Sequence, residues 1–470
     1  MSYLTNVQRK IVFAVGILFL FAAMFPYKRY LQAEALKKDL GEATIGEVDT
    51  GSFVLKLFML GGFRGMAANV LWTRAIDLQK VQEWDRMKVT IDMITKLQPH
   101  FLAIWTYQSW NLTYNVSVEW DAPEDKYEWI RRGIKFVQEG VKKNQKSPDL
   151  LWDTAWYYYH KLGFSDESII LRRLFRDDTD EEFKKSPLDG LVYQDNFQLG
   201  HDWFARAVRL VDEGERRAEG EKLEVIDHVD APAQRKGRPG DLPFRSMPAH
   251  AQTRYATGLE KESIKGIEAT FGARAQNEWL KAHEEWSTFG HRIYDTYNEV
   301  MVDGKLTRQK VRLDDNNMTN PEEYKKLHEN QQHWADKWAN LMNYPYWKDR
   351  CAAEMTTEGV AARRQFYLGT KAYKSAEFPK AVQLFKDGLA IWDKLLTLHP
   401  IYRRDDLNKK DTGLIVKRYA RACQQSQVEL PQDAPFQDLL KAYENDVSKD
   451  PYDAMEMLDT STRSSTPAPR

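Results

Sequence analysis

The stretch Arg363–Pro400, RRQFYLGTKAYKSAEFPKAVQLFKDGLAIWDKLLTLHP, decides the fold. Two segments with apolar residues at helical spacing flank the polar turn Ser375-Ala376-Glu377, the pattern of two amphipathic helices joined tightly enough to be antiparallel. Gly369, Ala372, Ala381 and Gly388 stand where such helices must approach closely, and Phe378 and Phe385 fill the space between them.

That spacing resembles a tetratricopeptide repeat, in which a Leu-Gly pair opens the unit. Here Leu368-Gly369 is followed by Ala381, Phe385 and Gly388 at matching intervals. The resemblance implies a stack of helical hairpins that presents a surface to a partner.

The rhythm extends toward the N-terminus. Ala75, Leu78, Trp84, Met87, Ile91, Ile94 and Pro99 mark a weaker unit. Trp105 falls 34 residues after Leu71 and opens a third, AIWTYQSWNLTYNVS, whose second helix carries Trp129, Ile130, Gly133, Ile134 and Val137. Pro148 begins another helix, with Trp152, Ala155, Trp156 and Tyr159 along one stripe. After Gly163 the signal degrades. Pro248 can start a helix bearing Ala251, Tyr255, Ala256 and Leu259, with Phe271, Ala275, Trp279, Ala282 and Trp286 on a partner. A further helix is expected from Pro321 to about Met342, then one from Gly413 to about Gln425 that caps the stack, and a short amphipathic one from Phe436 to Val447. The expected class is all-α, an irregular α-solenoid behind one N-terminal transmembrane helix.

That helix is Ile11–Phe25, IVFAVGILFLFAAMF, uncharged and flanked by Arg9-Lys10 and by Lys28-Arg29. At about 1.5 Å per residue it spans roughly 22 Å, short of a ~30 Å hydrocarbon core, so the flanking cations must snorkel to the interfaces. No small-x-small cleavage pattern directly follows it, so an uncleaved signal anchor is expected in the cell (inner) membrane, with the body outside the cytoplasm. A second apolar stretch, Phe53–Leu71, carries Lys56 and Arg64 and is broken by Gly61, Gly62 and Gly65, features that disfavour a second span. The segment GGFRG within it lacks the Gly-Lys-Ser/Thr ending of a phosphate loop. The degenerate unit from Pro248 to Trp286, together with the start of the first unit, GFRGMAANVLW, resembles bacterial single-pass membrane-anchored repeat proteins of undefined function.

The domain reading is an anchor (1–30), a juxtamembrane segment (31–66), repeats (67–212), a charged Pro- and Gly-containing loop (213–247), degenerate repeats (248–342), a C-terminal repeat with capping helices (343–447) and a tail expected from its composition to be disordered (448–470).

Composition narrows function. Lys and Arg number 68 against 69 Asp and Glu, so no global field attracts nucleic acid, and none is expected as a partner. The aromatic share of 12% suits packing between helices better than a base-stacking platform. Cys351 and Cys423 form no CxxC, and no HExxH, Gly-x-Ser-x-Gly or dinucleotide glycine turn is present; no catalytic, metal or cofactor site is expected. The acidic run Asp177–Glu182 lacks the glycine of a calcium loop and reads as a solvated face. The expected partners are a protein or peptide, the lipid bilayer through Ile11–Phe25, and a second copy through exposed repeat ends as an alternative. Polar side chains placed to face a groove are Asn69, Arg74, Gln108 and Asn111 near the anchor, and Lys371 and Lys374 in the C-terminal repeat. A rival reading puts an enzymatic or carbohydrate-handling site in the central insert (213–320), where Trp279, Trp286, His283, Glu284 and His291 gather.

Overall fold

Hairpins of amphipathic helices dominate the computed structural model, which describes Val15 and residues 64–218, 241–261, 269–302 and 304–443. Apart from Val15, the proposed anchor Ile11–Phe25 lies outside the described residues; among these, no helix is long and apolar enough to cross a membrane. The chain divides into two compact units, Met1–Arg238 and Pro239–Arg470.

In the first unit α1 (Arg64–Lys80) pairs with α2 (Trp84–Leu97), and α3 (Leu102–Trp110) packs on α4 (Pro123–Lys143). Next comes α5 (Pro148–Trp156), capped where the Ser147 hydroxyl accepts from the Leu150 N–H, then α6 (Ser168–Asp177) and α7 (Asn196–Ala218), which covers α5. Both α3 and α5 run on into π-helical turns, Asn111–Asn115 and Tyr157–Lys161. The core is aromatic and β-branched: Ile94, Ile104, Ile130, Ile134, Tyr158, Phe175, Phe183 and Phe204 are buried.

The acidic run is solvated in part: Asp177, Glu181 and Glu182 are exposed, whereas Asp178 and Asp180 are half-buried and paired. Asp178 and Asp180 hold Arg131 at 3.0 and 2.9 Å, Asp180 takes Lys135 at 2.7 Å, and Tyr127 Oη donates to Asp178. Buried Lys184 donates to the carbonyls of Arg176 and Asp178. Cations on α4 and in the loop itself thus claim charges that spacing alone assigned to water.

The second unit opens with α8 (Asp241–Lys261) against α9 (Ala273–His291). The helix α8 starts seven residues before Pro248, leaving that proline inside it; likewise α7 continues through Glu213–Ala218, into the stretch read as a loop. A β-hairpin follows, β1 (Ile293–Val302) antiparallel to β2 (Lys305–Arg312), with Gly304 at φ +78° and a bulge between Asp295 and Glu299. It stands in the stretch read as degenerate helical repeats, so the mostly helical fold carries one small sheet among the described residues. In place of one helix from Pro321 there is a single turn, Pro321–Tyr324, and then α10 (Glu329–Leu341). Trp279, Trp286, Trp334, Trp338 and Tyr344 fill the core that α8–α11 share with the hairpin, α11 being Tyr344–Glu354.

The decisive stretch folds as two helices, α12 (Thr357–Lys374) and α13 (Phe378–Leu398), with Ala376 in the left-handed region between them. A side chain at Gly369 would meet the Phe385 ring at 2.8 Å, and one at Gly388 would meet the Phe366 ring at 2.8 Å. These are the close approaches for which the small residues were singled out. The chain ends its described course in α14 (Pro400–Arg404), α15 (Asp406–Gln425, one turn and more longer than expected) and α16 (Gln437–Tyr443). Asp349 fixes α14 by accepting from the Ile401 and Tyr402 N–H groups while also binding His399.

Candidate functional site

Three chain segments of the first unit, α1, α3 and α5, bring aromatic rings into a ladder. Trp72 meets Tyr107 edge-on at 5.1 Å, Tyr107 meets Trp110 at 6.4 Å, and Trp110 stacks on Tyr114 at 6.5 Å. Tyr114 then reaches His160 at 6.0 Å, and His160 lies flat on Trp156 at 4.6 Å. Trp110 is 44% exposed, a large share for an indole. Beside it opens a groove of about 410 Å³ lined by Leu102, Ala103, Thr106, Tyr107, Asp149 and Leu150.

Polar groups brace the ladder from below. The two π-helical turns meet through Tyr114 Oη and His160 Nδ1 at 2.9 Å, and Ser109 Oγ of α3 lies 3.0 Å from Tyr157 Oη of the second turn. Turns of this kind are uncommon and recur at functional sites. Gln79 Nε2 and Asn115 Nδ2 donate to Asn111 Oδ1 at 2.8 and 2.9 Å, and Tyr107 Oη donates to Gln79 Oε1. The buried Asn111 amide nitrogen has no hydrogen-bond partner, at a cost of about 1–3 kcal/mol. Burial, with the neighbouring Lys161 charge, pushes the His160 imidazole down, and burial also lowers Lys161. His160 is thereby biased toward its neutral form, able to exchange a hydrogen bond with Tyr114.

The residues expected to face a groove separate into two groups. Asn69 and Arg74 are exposed on α1, and Lys371 and Lys374 on α12. Gln108 and Asn111 are buried, so they brace the interior and do not project toward a partner. Trp110, Tyr107, Trp156 and His160 were not singled out as contacts. Their signal was the aromatic spacing of Tyr107, Trp110 and Tyr114, three and four residues apart.

In the second unit, His283, Glu284, Ser287, Thr288, His291 and Arg292 line an open groove of about 740 Å³ along α9. The tryptophans needed for a sugar-stacking platform are absent from it: Trp279 and Trp286 are buried in the core. Asp314 beneath the groove accepts from Tyr344 Oη at 2.9 Å, pairs with Lys348, and lies 3.2 Å from His291 Nε2. The other imidazole nitrogen, Nδ1, meets the Ser287 carbonyl at 2.7 Å. Nearby, Arg363 bridges buried Glu260 and Glu354, Arg350 pairs with Glu354 at 3.5 Å, and Tyr402 Oη donates to Glu354 at 2.6 Å. Desolvation outweighs Arg363 and raises the Glu260 carboxyl. This cluster occupies a filled interface, with both guanidinium groups over the Trp279 ring. Among the described residues no group of three or more His, Cys, Asp or Glu side chains could hold a metal ion.

No family model matches the chain, and no curated protein matches it significantly.

Proposed function

We propose that this protein is a membrane-anchored scaffold whose helical hairpins, resembling tetratricopeptide repeats, form an irregular solenoid that holds a protein or peptide partner. Ile11–Phe25 is the anchor, and the body lies outside the cytoplasm. The observation that carries the binding role is the Trp72–Tyr107–Trp110–Tyr114–His160 ladder, with Trp110 half-open to solvent beside an apolar groove. Indole and phenol rings supply large rigid contact area at low entropic cost and dominate interface energetics. An extended partner segment would lie across α1, α3 and α5, an apolar side chain entering the groove and Asp149 at its rim taking a donor.

A crosslinked pull-down from mild detergent tests this, comparing the native chain with Trp110→Ala and matching the folds by circular dichroism. A stoichiometric partner weakened about 30-fold or more by removal of one central aromatic supports the reading. Equal capture by both chains would move the binding surface elsewhere. Protease access to a C-terminal tag tests the orientation: protection in intact cells and cleavage in spheroplasts place the body outside the cytoplasm, whereas resistance in both reverses it.

A further inference from the structure

The first hairpin carries apolar side chains on the outside. Met66 and Val70 on α1 are 65% and 71% exposed, and Val89 and Met93 on α2 are 54% and 49% exposed. Each pair is four residues apart, so each forms a row on one helix face. By contrast the fully buried apolar residues of α1 are small, Ala68 and Ala75. The terminal unit of a repeat stack ordinarily turns a polar face outward, and an exposed apolar patch marks an interaction surface.

Three observations identify what covers it. The first hairpin begins at Arg64, directly after the largely apolar sequence Phe53–Phe63, and residues 26–63 alone separate it from the run Ile11–Phe25. Across residues 64–97 there are six Lys and Arg against four Asp and Glu, in a chain whose net charge is −1. Exposed Lys88 and Lys96 flank Val89 and Met93 on α2, with exposed Asp85 and the Glu83-paired Arg86 one turn before Val89; long cationic side chains so placed reach headgroups while apolar neighbours enter the interface. A second copy suits the patch less well. Four side chains at these exposures supply only about half of the ~800 Å² that a stable dimer takes from each partner.

We propose that the outer face of the first hairpin, formed by Met66, Val70, Val89 and Met93, rests on the interfacial region of the lipid bilayer. The inference builds on the anchor reading and adds that the repeat stack starts at the membrane surface, which fixes where its aromatic ladder is presented. The full-length chain is reconstituted into vesicles of phosphatidylethanolamine and phosphatidylglycerol. Single substitutions Val70→Cys, Met93→Cys and, as a control, the 76% exposed Leu398→Cys carry an environment-sensitive fluorophore; the native Cys351 and Cys423 are buried. Flotation reports anchoring, and quenching by headgroup-proximal spin-labelled lipid reports contact. The expected result is a floating protein whose Val70 and Met93 probes are quenched at least about twofold more than the control. Probes that stay water-like in a floating protein overturn the inference while leaving the anchor intact. So do probes that turn apolar without lipid quenching, since protein then covers the patch. A chain that fails to float overturns both.

Discussion

A single added methyl group tests whether the packing of α12 on α13 is set by its glycines. In Gly369→Ala the new carbon meets two atoms of the Phe385 ring at 2.8 Å, closer than carbon atoms tolerate. Phe385 has no solvent to retreat into, being fully buried beside Leu389, Tyr419 and Ala422. Overpacking of this kind costs about 1–3 kcal/mol. Replacing glycine inside a helix returns about 1 kcal/mol through backbone entropy. The difference predicts a net loss of up to about 2 kcal/mol. Gly388→Ala provides an internal comparison, because its new carbon meets the half-buried Phe366 ring and the Gln365 β-carbon. There the Phe366 ring can swing aside but the Gln365 β-carbon, fixed to its backbone, cannot, so a loss of the same order, up to about 2 kcal/mol, is expected. Hydrogen exchange across α12 and α13 reads this local stability without requiring the whole chain to unfold in one step. Phe385→Leu, added to Gly369→Ala, should restore part of the protection lost, a coupling of about 1 kcal/mol. If Gly369→Ala slows exchange in both helices, and Phe385→Leu is merely additive with it, the hairpin is not held by that approach and the reasoning fails.

Removing one partner of the buried ion cluster should be far more costly than removing a surface pair. Arg363→Met leaves Glu260 and Glu354 facing each other without their bridge and is expected to destabilise the second unit by about 3–5 kcal/mol, measured by urea unfolding followed through tryptophan emission. Because Glu260 is raised above the ordinary glutamate value, its protonated form is favoured by folding. Its contribution is therefore complete below about pH 4.5 and lost as pH rises through the folded value, so Glu260→Gln should flatten that slope. His250 acts in the opposite sense. Wedged edge-on between Trp286 and Trp347, it is lowered from 6.5 to about 4 by burial, with Arg254 adding to the effect. Stability present above pH 6.5 should fall by about 3 kcal/mol as pH drops toward 4, a loss absent from His250→Phe in thermal melts across that range.

Local spacing carried much of the helical architecture. Where a segment's apolar residues recur at helical intervals between recognisable breakers, as on either side of Ser375–Glu377, the observed helices follow. Reading failed where a residue's meaning depends on what packs against it. Asp178 and Asp180 look solvated until α4 supplies Arg131 and Lys135. Pro248 looks like a helix start until tertiary packing carries α8 through it. The hairpin had a local signal that helical expectation overrode: Asp303-Gly304 between runs rich in Ile, Val, Thr and Tyr, the strongest short-range mark of a tight turn between strands.

The candidate site was hidden for a more specific reason. Periodicity arguments assume one residue every 100° along a helix, and they assign polar positions such as Gln108 and Asn111 to the face away from the apolar stripe. At Asn111–Asn115 and Tyr157–Lys161 the backbone takes the wider π-helical turn, which inserts about one additional residue and shifts the phase of everything beyond it. At the first of these turns Asn111 is buried and binds Gln79 and Asn115, and Trp110, the last residue of the regular helix before it, is open to water. The same two turns join through Tyr114 and His160. The irregularity therefore bears on Tyr114 and His160, which lie within the turns and join there, and not on Gln108 and Trp110, which precede them in the regular helix α3. Buried polar groups and an exposed indole run against the usual partition of side chains, and their concentration at paired π-helical turns is what argues for a binding surface rather than a packing accident.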